Sequence, residues 1–316
     1  MFAWLMAIKT NLKNQLQQRF TDRIRFDEPM SAHTSFRVGG PADALVTVTD
    51  EKEMAFLMPF LHDNGLPFLI LGGGTNLLVK DGGFPGVVIF MTGRLSEIFQ
   101  IAATKMTAMA GAKLNKLCRY AIEKGLAGMN FAVGIPGTVG GAIRMNAGTA
   151  TGAMGGVLES VRVMGSDGEI IKLDASRLRF GYRHMTLPET MNPGVNPFVI
   201  IDGQFSLAAG SPETLAAEAD VLLKKRKAAQ PVHLASAGCF FKNPAESEAA
   251  GKLIDMAGLK GLRVGDAEVS ALHANYLVNR GNASAADILK LMEIVREKVV
   301  AAFNIYLEPE VQIVGN

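Results

Sequence analysis

The run from Phe131, FAVGIPGTVGGAIRMNAG, opens a stretch that carries eight glycines between Gly134 and Gly156. Glycine has no Cβ and reaches positive φ without strain, so this density lets backbone come close to a ligand or to another loop. A second glycine loop, LGGGTNLLVKDGG from Leu71, follows the apolar run Phe68 to Leu71. Two such loops, each leaving a predicted strand, point to backbone amides turned towards phosphates. No Gly-Lys-Ser/Thr follows either loop, and neither has Gly-x-Gly-x-x-Gly opening a helix. The pattern therefore predicts a nucleotide site that is neither a Walker loop nor a Rossmann domain.

Composition narrows the partners. The 316 residues allow two to three domains, each with its own core. A formal net charge of +2 leaves no broad basic surface to neutralise a phosphate backbone, so nucleic acid is not an expected partner. Cys118 and Cys239 lie far apart and lack metal-ligand spacing, so neither a disulfide framework nor a metal site is predicted, which fits the reducing cytoplasm. The N-terminal MFAWLMAI is apolar but short, with no basic residue before it and no small-residue cleavage site after it. It reads as an extra N-terminal helix rather than a signal peptide. No run approaches the ~18 apolar residues needed to span a bilayer.

Periodicity places the elements. Ala44 to Val48, Phe68 to Leu71 and Val87 to Phe90 read as strands, with a helix over Glu51 to Asn64 and an extended segment over Lys105 to Ala112. Leu114, Leu117, Cys118, Ala121 and Ile122 mark one face of a helix ended by Gly125. Ser160 to Gly165 and Glu169 to Leu173 form a hairpin through Ser166-Asp167-Gly168. Asn192 to Pro197 is predicted loop and Phe198 to Leu207 strand, and Pro212 stands near the start of a helix that ends in Lys224 to Lys227. Ser284 and Asp287 predict a capping box ahead of the stripe Ile288, Leu291, Met292, Val295, Val299 and Phe303. After it, Ile305, Leu307, Val311 and Ile313 share one face of an extended segment, and Tyr306, Glu308, Glu310 and Gln312 the other. Pro309 in its middle calls for an edge strand or a bulge that re-aims Glu310.

Seven motifs in order resemble one family. TSFRVGGPA at Thr34, LGGGTNLLV at Leu71, GIPGTVGGA at Gly134, GYR at Gly181, AGCFFKNP at Ala237, AGLKGLRVGDAEVSALHANYLVN at Ala257 and LEPEVQIVG at Leu307 are similar to those of the UDP-N-acetylenolpyruvoylglucosamine reductases. The resemblance runs from Arg23 onward. It implies an α+β chain with a two-lobed FAD-binding fold of the vanillyl-alcohol-oxidase/PCMH type and a C-terminal α+β substrate domain. The expected division is 1–20 as an N-terminal extension, 21–92 and 93–208 as the flavin lobes, and 209–316 as the substrate domain. The implied cofactor is noncovalent FAD, with NADPH as co-substrate and UDP-N-acetylglucosamine enolpyruvate as substrate, reduced to UDP-N-acetylmuramate for peptidoglycan synthesis.

Hydride addition to the vinyl carbon leaves an enolate of the carboxylate, which needs a cation, a proton donor to carbon and a second acid. By resemblance these are Arg183, Cys239 and Glu310. An arginine fork holds a carboxylate bidentately and keeps its charge. Cys239 stands where many members carry serine, and a cysteine beside two phenylalanines otherwise reads as core. A thiol is a stronger acid than an alcohol, provided it stays protonated at rest. Met185 replaces a frequent serine, which bears on a local hydrogen bond near Arg183, and Cys118 is assigned to the core. The 55 residues between Arg183 and Cys239 resemble the short type that lacks a substrate-covering insertion.

For FAD the resemblance implies Arg37, Gly39, Gly40, Gly72, Gly73, Gly74, Thr75, Asn76, Gly137, Gly140 and Gly141, and for the UDP-sugar Tyr182, Lys227 and Asn243. Turn chemistry alone explains several of the glycines, and a helix dipole alone would favour Lys227. His273 reads as a structural histidine. Two other readings stay open on sequence: an FAD oxidoreductase of the same fold acting on an alcohol or hydroxy acid, and an inactive UDP-sugar-binding homologue.

Overall fold

The computed structural model describes residues 8–188, 197–245 and 247–316. Seven α-helices are found among them: α1 Thr10–Phe20, α2 Glu51–Asp63, α3 Leu114–Glu123, α4 Val139–Arg144, α5 Pro212–Ala229, α6 Ala250–Met256 and α7 Ala285–Phe303. Most of MFAWLMAI and of the Asn192 to Pro197 loop fall outside the described residues. Just after the former, α1 buries Leu12, Leu16 and Phe20 at its i, i+4, i+8 spacing.

The first lobe is a four-stranded sheet in the order Ile24–Pro29, Pro41–Val48, Phe84–Met91, Phe68–Leu71. Its first pair is antiparallel and the other two are parallel, with α2 as the crossover. Asp50 caps α2 by accepting from Glu53 N at 2.9 Å. The second lobe is a five-stranded antiparallel sheet in the order Ile170–Asp174, Leu158–Met164, Val199–Ser206, Lys105–Met109, Ile98–Ala102.

The two lobes lock through side chains that sequence separates widely. Arg162 on the second sheet donates through Nη2 to Glu51 of α2 at 2.7 Å and through Nε to Asp202 at 2.6 Å. Pro59 removes the α-helical partner of the Ala55 carbonyl, and Gly168 at the 166–168 turn, with φ +82°, sits where an added Cβ would lie 2.6 Å from that oxygen. One apolar core accordingly runs from Leu16 and Leu57 through Met106 and Leu117 to Phe205.

A second core belongs to the C-terminal unit. It gathers Leu253 and Ile254 of α6, the short strands Ala267–Val269 and Leu277–Asn279, and Ile288, Leu291, Val295 and Val299 of α7. The capping box is present: Ser284 Oγ accepts from Asp287 N, and Asp287 Oδ2 from Ser284 N. Asp81 of the first lobe adds to it by accepting from Ala285 N and Ala286 N, both at 2.9 Å.

Helix α5 differs from the division expected at residue 209. Its Ala219 is buried in the core shared by the first two lobes and Leu223 packs against it, so the change of core falls after α5. The reason is its apolar face, which covers α3 as soon as the chain turns at Gly210.

Candidate active site

The two glycine loops meet at the floor of one cleft of about 1280 Å³. Gly73 approaches Gly137 so closely that an added Cβ would lie 3.0 Å from the Gly137 Cα, and Thr75 Oγ1 donates to Pro136 O at 3.3 Å. Among the described residues, the amides of Gly73, Gly74, Thr75 and Gly137 donate to no protein acceptor. Unpaired donors on a glycine cradle fit the phosphates of a dinucleotide. The cleft exceeds the ~300–1,000 Å³ usual for a small-molecule pocket, enough for a dinucleotide and a second ligand in turn. Arg37 also lines the cleft; its φ of +57° turns it outward between buried Phe36 and Val38.

Arg183 is presented by a two-residue hairpin. Strands Arg179–Gly181 and His184–Thr186 pair with only Tyr182 and Arg183 between them, and Arg183 takes φ +63°. A non-glycine residue there is strained by ~1–3 kcal/mol and persists because its surroundings fix it. Asn146 supplies part of that fixing: its Nδ2 donates to Gly181 O at 3.0 Å, and its Oδ1 accepts from Gly155 N at 2.9 Å. Arg183 in turn donates from Nε to Glu310 Oε1 at 2.8 Å and from Nη1 to Gly148 O at 3.1 Å.

Glu310 arrives on the bulge expected around Pro309. The amides of Glu310 and Val311 both point at the Phe240 carbonyl, at 2.8 and 3.5 Å, which is the two-against-one pairing of a bulge. Beyond it, Gln312–Val314 pairs in parallel with Leu77–Val79, the strand that follows Gly72 to Asn76. Asn76 Nδ2 donates to Glu310 O at 3.1 Å, so the cradle loop and the carboxylate are held by one residue. Burial pushes the Glu310 carboxyl above its ordinary range, opposed by the Arg183 charge and hydrogen bond.

Cys239 lies beside this pair. Phe240 N donates to Asn275 O at 2.7 Å, and the Asn275 side chain brackets Phe241, accepting from its N at 2.9 Å and donating to its O at 2.8 Å. The clamp sets half-buried Cys239 next to Tyr276. Burial, with the Glu310 charge behind it, pushes the Cys239 thiol up to about 11, so it holds its proton at neutral pH. Cys118 is buried against the Met129 carbonyl, Sγ to O 3.8 Å, and desolvation pushes it to about 12.

Gly72 to Asn76, Gly137, Gly140 and Gly141 all line the cleft with Arg183, Cys239 and Glu310. Other expected residues do not. Gly39 and Gly40 pack on the 79–83 turn, where a Cβ on Gly40 would lie 2.1 Å from Asp81 O. Asn243 Oδ1 accepts from Ala250 N at 3.1 Å at the start of α6. Tyr182 is 49% exposed, its ring 4.9 Å beneath the Arg183 guanidinium. Lys227 is exposed and off the cleft, which Lys225 and Arg226 line instead. The face of α5 that buries Leu215 and Ala219 carries Arg226 three turns on, whereas the next residue is ~100° further round. Met185 is core. His273 is structural, accepting from Asn275 N at 3.3 Å, and burial lowers its pKa. Sequence reasoning missed Arg226, Tyr276, Arg144 and Gln312, all of which line the cleft.

Comparisons with known proteins agree with this arrangement. A family model described as UDP-N-acetylenolpyruvoylglucosamine reductase, C-terminal domain, matches residues 230–314. One described as an FAD binding domain matches residues 42–174. The UDP-N-acetylenolpyruvoylglucosamine reductase of Desulfosudis oleivorans is 49% identical over 94% of this chain and 96% of its own. That of Clostridioides difficile is 40% identical over 98% of each. The crystal structure of the Thermus caldophilus reductase superposes with a TM-score of 0.77 at 37% identity, covering 91% of this chain and 97% of that one. No described helix is long and apolar enough to cross a membrane. Identity of this order across nearly the full length of both partners, on a fold whose two glycine loops and C-terminal carboxylate share one cleft, places the chain in the UDP-N-acetylenolpyruvoylglucosamine reductase family.

Proposed function

We propose that this chain reduces the enolpyruvyl ether of UDP-N-acetylglucosamine to UDP-N-acetylmuramate in the cytoplasm, with NADPH as reductant and FAD held noncovalently on the two glycine loops. The observation that carries this reading is the convergence of Arg183, Glu310 and Cys239 on the cleft that those loops floor. Both cysteines are free thiols, in keeping with a reducing compartment.

FAD held by Gly72 to Asn76, Gly137, Gly140 and Gly141 would supply the hydride relay between NADPH and the vinyl methylene carbon. The rest belongs to the chain. Arg183, locked by Gly148 and Glu310, sets a permanent cation where the enolate charge develops. Glu310, its carboxyl raised by burial and bonded to Arg183, is the second acid, placed to share a proton with the enolate oxygen. Cys239, protonated at rest, delivers a proton to the neighbouring carbon: the S–H bond breaks, the enolate electron pair forms the C–H bond, and sulfur keeps its pair as thiolate. Arg226 is a half-buried cation with no carboxylate partner among the described residues. It suits an anionic group of either ligand.

The purified protein is expected to be yellow, to bleach with NADPH and to recover its colour with the enolpyruvyl substrate. Acid precipitation should release all of the flavin, because no thiol lines the loops that would hold it. A flavin that NADPH bleaches but the enolpyruvyl substrate cannot restore would overturn the reading.

A further inference from the structure

We propose that Arg144 selects the dinucleotide form of the flavin: its guanidinium, laid on the Phe198 ring, stacks on the adenine of FAD at an apolar stretch of the cleft built by the first two lobes. This rests on the FAD assigned above. Arg144 is the last residue of α4 and lines the cleft. Its Cζ stands 4.7 Å from the centroid of the Phe198 ring, and its Nη1 donates to Met185 O at 3.4 Å. These two contacts orient the fork. Gly141, three residues earlier on the same helix face, puts no side chain in the path of a guanidinium that leans back along the helix. The residue is exposed to solvent, yet surrounded by enough protein for desolvation to lower its pKa with no acidic neighbour opposing it. It is a cation in a recess, without a carboxylate to pair with among the described residues.

Phe68, Ile70 and Met91 of the first lobe and Phe198 and Ile200 of the second give the cleft an apolar wall that includes the ring under Arg144. Phe68 and Ile70 share one face of their strand, and like Phe198 they are only partly buried by protein. That strand runs straight into Gly72, and α4 begins two residues after Gly137. Four residues of strand and six of helix keep the wall and Arg144 within about 13 Å of the glycine cradle. A dinucleotide with its diphosphate on the cradle places one half on either side. The reacting half has to meet Cys239 and Glu310, which the C-terminal unit supplies, so the base at the other end is left to the wall that the lobes supply. Apolar area beside a planar cation suits a purine, because a guanidinium stacks on an aromatic face. NADPH and the enolpyruvyl substrate come and go at the Cys239 end, which makes the resident cofactor the occupant.

The test is equilibrium dialysis of the purified holoenzyme against FAD and, separately, against FMN, which lacks the adenosine half; bound flavin is read from its absorbance. Arg144→Met keeps an apolar stem against Phe198 and removes the plane. It should raise the Kd for FAD ~10-fold or more and leave that for FMN within about twofold. Arg144→Lys keeps the charge without the plane and should lose nearly as much. Wild-type FAD affinity in Arg144→Met overturns the proposal. So does full rescue by lysine, which would mean charge pairing with a phosphate, and so does equal loss of FAD and FMN, which would mean a general loosening of the lobes. Should FMN bind too weakly to read, riboflavin 5′-diphosphate, which keeps both phosphates and lacks adenosine, takes its place under the same prediction. A protein that takes up neither flavin overturns the assigned function as well, whereas one that holds FAD regardless of residue 144 overturns this proposal alone.

Discussion

Glu310→Gln isolates what the carboxylic acid contributes. The amide oxygen can still accept from Arg183 Nε, which now does so at 2.8 Å, and the backbone bond from Glu310 N to Phe240 O at 2.8 Å is untouched. Arg183 and the bulge therefore stay in place, and the loss is confined to a proton that can be shared with the enolate. A general acid contributes ~10²–10⁴ in rate. Cys239 remains to protonate carbon, so the lower end applies: reoxidation by the enolpyruvyl substrate should slow by about 10², or ~2.7 kcal/mol in the barrier. Reduction by NADPH makes no demand on this acid and should stay within about twofold of wild type. Anaerobic stopped-flow absorbance measures the two half-reactions separately. Equal loss in both would mean that Glu310 acts by holding the cleft together, and wild-type reoxidation that it supplies no acid.

Three further outcomes are expected. A thiol alkylator should abolish turnover faster as pH rises towards the Cys239 value of about 11, with substrate protecting and Cys118→Ala changing nothing; Cys239→Ser should resist it and stay active, and the functional reading is falsified if Cys239→Ala reoxidises at the wild-type rate. Asn146→Gly tolerates the positive φ at that position and deletes only the bonds that brace the Arg183 turn, so kcat should fall about tenfold or more with FAD still bound, as checked by steady-state assay and flavin absorbance. Glu53 accepts two bonds from Arg23 and two from Thr49, and Arg23 foremost lowers its pKa from 4.5 to about 2. A depressed carboxylate stabilises the fold above its unfolded pKa and loses that contribution as pH falls through the folded one. Glu53→Gln should therefore cost on the order of 2–3 kcal/mol at neutral pH and nothing near pH 2, read from urea midpoints.

Elements whose signal is local were legible in the sequence. The α3 stripe, the Ser284 capping box and the 166–168 turn each depend on neighbours within a few residues, and each is present. The bulge at Glu310 was legible for the same reason, since proline cannot donate to a ladder. What stayed hidden depends on which face an element turns inward. Lys224 to Lys227 offers four consecutive cations, and the packing of Leu215 and Ala219 brings Lys225 and Arg226, not Lys224 or Lys227, to the cleft. Tyr276 lies within the Ala257 motif with no role of its own there, and it lines the cleft with Cys239, 37 positions earlier, because Asn275 bonds to Phe240 and Phe241. Gly39 and Gly40 fit a glycine motif, yet their work is close packing against the 79–83 turn.

The pairing of Gln312–Val314 with Leu77–Val79 sets an order on assembly. Asn76 and Glu310 are 234 residues apart yet bonded, so during synthesis the cradle loop waits beside an unpaired strand while the whole substrate domain is made. An exposed strand edge is a template for wrong partners. The lobes alone, severed after α5, should thus be aggregation-prone and poor at retaining flavin, whereas supplying 230–316 in trans should restore both the strand and the acid it carries.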